Sequence, residues 1–288
     1  MPPLEKIANL LVLILLVEMM ITVGLGVSLR SLMAVFADAE LLVRAGLGNY
    51  FVVPAIAVSL LYLFHAGPMV SAGFLLVAAS PGAPFAPSLT AIARGNVSVS
   101  VALMVILAGS SAILAPLCLS VLLPVIAKGA NLQIDSVRIL RTLLLTQLIP
   151  LGVGLAVRSK RPLLADRLQG PANLLMGLLS VAVLALLFWI QYPTLRQLHV
   201  RTFVGIGVLV LLSLLAGWAL GGGNSELRKA LGLTTSARNV GVALVIATAS
   251  FPDSVAVTAV IVFALSQIVL VTIVAFLWGR LGVRGLGV

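Results

Sequence analysis

Apolar residues run along this chain in long blocks rather than in alternation. Bounded by charges, glycines and prolines, the blocks fall at about 7–29, 43–64, 68–93, 98–126, 137–157, 170–191, 202–222, 227–250 and 255–279. Each holds roughly the 20 residues that an α-helix needs to cross hydrocarbon. Lipid offers no partner to a backbone N–H or C=O, so a spanning segment must bond within itself, and a helix does that. The pattern predicts an all-α membrane bundle of about nine helices in a single domain over residues 1–288, with no polar stretch long enough for a second module. The run from Ile7 to Leu29 exceeds the roughly 7–15 apolar residues of a signal-peptide core, and Ser28-Leu29-Arg30 offers no cleavage site. It reads as a first retained span.

Two blocks are interrupted at mid-depth. The third contains Ser80-Pro81-Gly82-Ala83-Pro84-Phe85-Ala86-Pro87. Proline removes a helix donor and clashes with the preceding turn, so three prolines in seven residues should unwind the helix. The eighth carries Thr234-Thr235-Ser236-Ala237-Arg238-Asn239-Val240-Gly241, small polar residues around a charge. Unwound backbone survives in a membrane only where protein or a water-filled cavity satisfies it. Two broken spans inserted in opposite directions predict a crossed pair in an inverted repeat, the usual place for a transporter's binding site. Only their positions carry that pairing, since the two halves share no residue-level repeat.

Composition agrees: 61% of residues are hydrophobic and 9% charged, against about 25% charged in a soluble domain. The net charge of +10 does not mark a nucleic-acid binder, because the basic residues sit in short loops and form no stripe with aromatics. Eleven Lys and Arg fall in one set of loops, while Lys6, Lys128, Arg138, Arg141, Arg196 and Arg201 fall in the other. The positive-inside bias puts the eleven in the cytoplasm, with the N-terminus outside and the C-terminus inside the cell's inner membrane. The single cysteine, Cys118, excludes an internal disulfide or a thiolate metal cluster. His65 and His199 form no HExxH, and neither a Walker A lysine nor a GxSxG is present. The chain reads as no enzyme, and it shows no metal site. The charged rings and repeated carbonyl filters that line channels are not visible either.

Two charges lie inside predicted spans: Glu18 in the first and Arg238 in the eighth. Either one alone would cost about 2.5–3.5 kcal/mol on insertion scales. Their similar depth and opposite sign predict an ion pair or a shared polar cavity. That pair is either a static device fixing helix register or a part of substrate or proton handling. Glu18, Thr22 and Gly26 fall on one helix face. Asn49, Gln147, Asn239 and Gln267 are further polar residues near mid-depth, and Gly217 to Gly221 forms a GxxxG that signals close packing.

At the third block a family pattern becomes visible. Gly73-Phe74-Leu75-Leu76-Val77-Ala78-Ala79-Ser80-Pro81-Gly82, followed by Ala93-Arg94-Gly95-Asn96-Val97, resembles the bile acid:sodium symporter family. Gly24 to Leu29, Asn49-Tyr50-Phe51-Val52-Val53-Pro54 and Arg238-Asn239-Val240-Gly241 fit in order. The resemblance implies a panel beside a core with two discontinuous crossing helices, in a nine-span form lacking the first helix of ten-span bacterial members. It implies transport of organic anions, bile acids or small carboxylates, commonly with sodium. The sequence departs from the family where sodium is bound. Thr234 stands at a carboxylate position, Ala86 and Pro87 replace a Ser and an Asn, Arg238 replaces a glutamine, and Met104 a threonine. Ser100, Asn239 and Asn49 keep oxygen atoms there.

A hard cation wants several oxygens, preferably one charged, so the two-sodium arrangement is not expected. The expected substrate site comprises Asn49, Pro81, Gly82, Arg238, Asn239 and Gln267. Glu18, Arg238, Ser100 and Thr234 are the expected coupling or ion-pair residues, with a proton as an alternative to sodium. The partners expected are the lipid bilayer and a small organic anion, with no nucleic acid. Competing readings are an exporter of a small inorganic or metalloid anion and a non-transporting scaffold. Cys118 lies at neither break, which weakens the first, and two polar breaks at mid-membrane weaken the second.

Overall fold

The computed structural model describes residues 3–126, 132 and 134–284, so Lys128 lies outside the described residues. Its regular elements are helices: α1 (Pro3–Gly26), α2 (Leu29–Ala37), α3 (Ala39–Leu47), α4 (Val53–Leu63), α5 (Pro68–Ala78), α6 (Ala86–Ile92), α7 (Val97–Ile126), α8 (Ser136–Leu143), α9 (Ile149–Lys160), α10 (Pro162–Leu195), α11 (Val200–Leu220), α12 (Ser225–Ser236), α13 (Val240–Ser250) and α14 (Val255–Arg284). Among the described residues, seven helical stretches are long and apolar enough to cross a membrane, and α5 and α13 are apolar but shorter. The chain is a polytopic helical membrane bundle, as the apolar blocks predict.

Two of the long stretches, Ala39–Leu63 and Ser136–Lys160, change pitch halfway. In each, a five-residue π segment (Gly48–Val52 and Leu144–Leu148) runs up to a proline, Pro54 or Pro150. A proline ring collides with the carbonyl four residues back in an α-helix. Here the preceding N–H groups of Val53 and Ile149 instead reach five residues back, to the carbonyls of Gly48 and Leu144. The wider turn makes room. It also places Asn49 and Gln147, both buried, on the bulged segments.

The helices pack in two groups. In one, α1 lies against α9 and α10, and α9 lies against α10. Gly24 and Gly154 let α1 and α9 touch backbone to backbone. A Cβ on Gly24 would stand 2.5 Å from the Leu151 carbonyl oxygen, and one on Gly154 would stand 2.4 Å from that of Ile21. In the other group α11 packs on α4, α12 and α14, α5 on α4, α7 and α14, and α6 on α7 and α12. Gly217, in the GxxxG of α11, faces the Leu231 carbonyl and Thr235 of α12, as close packing requires. α13 belongs to this second group through α5 and α14, and the two groups meet where α1 packs on α13 and α10 on α14.

Candidate functional site

The third apolar block breaks after Ala78, and the prolines divide the labour. Pro81 sits in the gap, while Pro87 lies in the first turn of α6, where a missing N–H costs nothing. Gly82 takes φ +91°, and a Cβ there would stand 2.4 Å from the Ala108 backbone nitrogen of α7. Only glycine fits that backbone angle and that contact.

The eighth block has no proline or glycine at its break. Thr234, Thr235 and Ser236 stay helical as the last turn of α12, and only Ala237, Arg238 and Asn239 leave the helix. Tertiary partners satisfy this stretch. The Gln267 side chain from α14 accepts from the Arg238 N–H at 2.8 Å and donates to the Arg238 carbonyl at 3.2 Å. The Asn239 N–H donates to the Ser80 carbonyl at 2.8 Å, and Arg238 pairs with Pro81 as an antiparallel bridge. Asn239 then caps α13, its Oδ1 accepting from the Val242 N–H at 3.2 Å while its Nδ2 donates to the Gly82 carbonyl at 3.4 Å. The two breaks are therefore in direct contact.

The Arg238 side chain lies at this junction with 1% of its surface exposed. Its Nη1 donates to Asn49 Oδ1 at 2.6 Å, and its Nη2 to the Ala78 carbonyl at 2.7 Å and the Asn49 carbonyl at 3.2 Å. Ala78 ends α5, so the guanidinium lies beside that helix's C-terminus, whose macrodipole favours a cation. Its Nε has no partner. Among the described residues the salt bridges are Arg44 with Glu40 and Arg158 with Asp166. Neither involves Arg238, whose charge is met by neutral oxygens and the C-terminal dipole of α5.

A second polar cluster adjoins it through α12. Ser100 Oγ and Thr234 Oγ1 lie 3.1 Å apart, and Thr90 Oγ1 donates to Ser100 at 3.0 Å. All three are buried. Thr235 Oγ1 accepts from Asn49 Nδ2 at 3.3 Å, tying α12 to the π segment that supports Arg238. The structure thus brings together Asn49, Pro81, Gly82, Arg238, Asn239 and Gln267, with Ser100 and Thr234 next to them. Sequence reasoning did not single out Thr90 and Thr235. Thr235 lies within the polar run of the eighth block, but a lone threonine such as Thr90 gives no signal.

Glu18 is elsewhere, and no Glu18–Arg238 pair forms. The carboxylate accepts from its own helix, from Thr22 Oγ1 at 2.7 Å, and lines an open apolar groove between α1 and α10 with Val17, Ile21, Pro171 and Leu175. Equal depth along two helices says nothing about which faces turn toward each other. Arg238 does not line the groove that holds Glu18. Gln147 also lies apart, donating to the Ala108 carbonyl and to Ser111 of α7. Cys118 lines a groove with Tyr50 and Pro54, and no residue of either break lines it.

Comparison with known proteins gives one family. The profile described as Sodium Bile acid symporter family matches residues 13–198, more than half of the chain. The match takes in the first break and ends before the second. No curated protein matches the chain.

Proposed function

We propose that this chain, which belongs to the Sodium Bile acid symporter family, moves organic anions of the bile acid or small carboxylate class by alternating access, without the usual two-sodium coupling. The family is one of transporters, not enzymes. The observation that carries the reading is the Arg238 guanidinium, buried at the crossing and held by Asn49 Oδ1 and the carbonyls of Asn49 and Ala78. Such neutral oxygens, the one of Ala78 at a helix C-terminus, are what a bound alkali cation would use. A fixed guanidinium on them competes with that cation by occupation and by charge. It also leaves a positive field at mid-membrane that favours an anionic substrate over a cationic one. The hydroxyl cluster of Thr90, Ser100 and Thr234 supports the same conclusion, because it offers oxygens but no negative charge.

The contact of the two breaks supports a crossed-helix core beside a panel of α1, α9 and α10, in a nine-span form. The excess of Lys and Arg in one set of loops supports a cytoplasmic C-terminus in the cell's inner membrane. The test is uptake of a radiolabelled bile acid and of a small carboxylate by protein reconstituted in liposomes. Equal uptake in sodium and in potassium is expected. Uptake that requires a sodium gradient would overturn the reading.

A further inference from the structure

A second place in the molecule is built for an anion. At the end of the bundle where α4 and α10 finish and α5, α11 and α14 begin lies a cavity of about 390 Å³. Arg201, His65 and His199 line it, and no carboxylate does. All three basic side chains are exposed. The Arg201 side chain has no hydrogen-bond or carboxylate partner among the described residues. The N-terminal residues of three helices also border the cavity: Gly67 before α5, His199 before α11 and Val255 at the start of α14. Neither α5 nor α11 has a side-chain cap, so their first N–H groups still lack a side-chain acceptor.

The remainder of the lining is apolar. Phe64 and Phe74 form the floor and close over Gly205 of α11, where a Cβ would stand 3.3 Å from each ring. Leu60, Val70 and Leu198 make up the walls. A purely inorganic anion would leave this apolar surface wet, and an apolar molecule would leave the cations unused. Phe74 is one helical turn, about 6 Å along the axis, from Ala78, whose carbonyl holds Arg238.

We propose that this cavity binds an amphipathic monoanion, with its head on Arg201 and its apolar body on Phe64 and Phe74, as a docking site one turn before the Arg238 junction. The site stands on its own cavity and charges and does not depend on how transport is coupled. The head group could belong to a free organic acid or to an acidic lipid, since both present the same chemistry.

Isothermal titration of the full chain in phosphatidylcholine nanodiscs with naphthalene-2-sulfonate tests it. Naphthalene-2-trimethylammonium serves as the control of opposite charge. One-to-one binding of the sulfonate and none of the cation is expected. Arg201→Gln, at an exposed position, should weaken binding about tenfold or more with an unchanged melting temperature. Val70→Trp, which fills the cavity, should abolish it. A repeat with phosphatidylglycerol in the disc separates the two sources: competition identifies a lipid occupant, and its absence a solute. Binding unchanged by both substitutions, equal binding of the cation, or no binding in either disc would overturn the proposal. Because binding rather than uptake is read, a failure here leaves the sodium-independence of transport untouched, and the reverse holds too.

Discussion

Arg238 and Glu18 are both charged residues of membrane-crossing helices, and the fold surrounds them in opposite ways. Arg238 is fully enclosed, with three side-chain hydrogen bonds to two different elements, the π segment and the end of α5. Its own backbone is held by Gln267 from a third, α14. Glu18 is half-buried on an open apolar groove; its one bond is to a threonine on the same helix, and its Oε2 is buried without a partner. Removing a group that several helices organise around should disturb all of them. Removing one whose single bond stays within its own turn should disturb little. Intramembrane charge is thus not a single category here: Arg238 is held by several helices, Glu18 only by its own.

The widest test of that contrast is Arg238→Gln. Losing a charge-assisted contact worth roughly 1.5–3 kcal/mol should lower anion uptake by about tenfold or more. Unchanged uptake in liposomes would remove Arg238 from substrate handling. A smaller effect is expected when Thr234→Glu is added to Arg238→Gln, which restores a carboxylate beside Ser100 and vacates the oxygens that the guanidinium holds. Sodium should then raise the melting temperature by a few degrees, since saturation at 100-fold over Kd stabilises by about 2.7 kcal/mol. The unsubstituted chain should show no such shift, and a sodium shift in it would mean that Arg238 does not take the cation's place. The smallest effect belongs to Glu18→Gln. The amide still accepts from Thr22, so stability should change by less than about 1 kcal/mol and uptake by less than about twofold. A large loss, or an altered pH dependence of uptake, would place Glu18 in coupling after all.

How far the sequence carried the fold follows from what each signal measures. Apolar length locates helices, and proline chemistry locates the first break, because both are properties of one segment. The second break was visible only through its polar residues, and its true extent, three residues from Ala237 to Asn239, depends on Gln267 and on the Ser80 carbonyl. Those partners lie far away along the chain. The same limit explains Glu18: hydropathy gives depth but not the direction a helix face turns. The π segments at Asn49 and Gln147 were hidden for a different reason. A proline inside a long helix reads equally well as a kink, and only the five-residue hydrogen bonds of Val53 and Ile149 distinguish the two. Asn49, expected as a substrate-site residue with Arg238, is its main hydrogen-bond support.

The contact between the two breaks has a mechanical consequence. Ser80 with Asn239, Gly82 with Asn239, and Ala78 with Arg238 are bonds between the two broken helices, and Pro81 pairs with Arg238 within the same patch. These bonds rivet the pair, and a riveted joint turns as one piece. Sliding one broken helix past the other would cut all of them inside hydrocarbon, where nothing replaces them. The crossing is therefore a fixed joint, and any displacement within this group must carry both broken helices together.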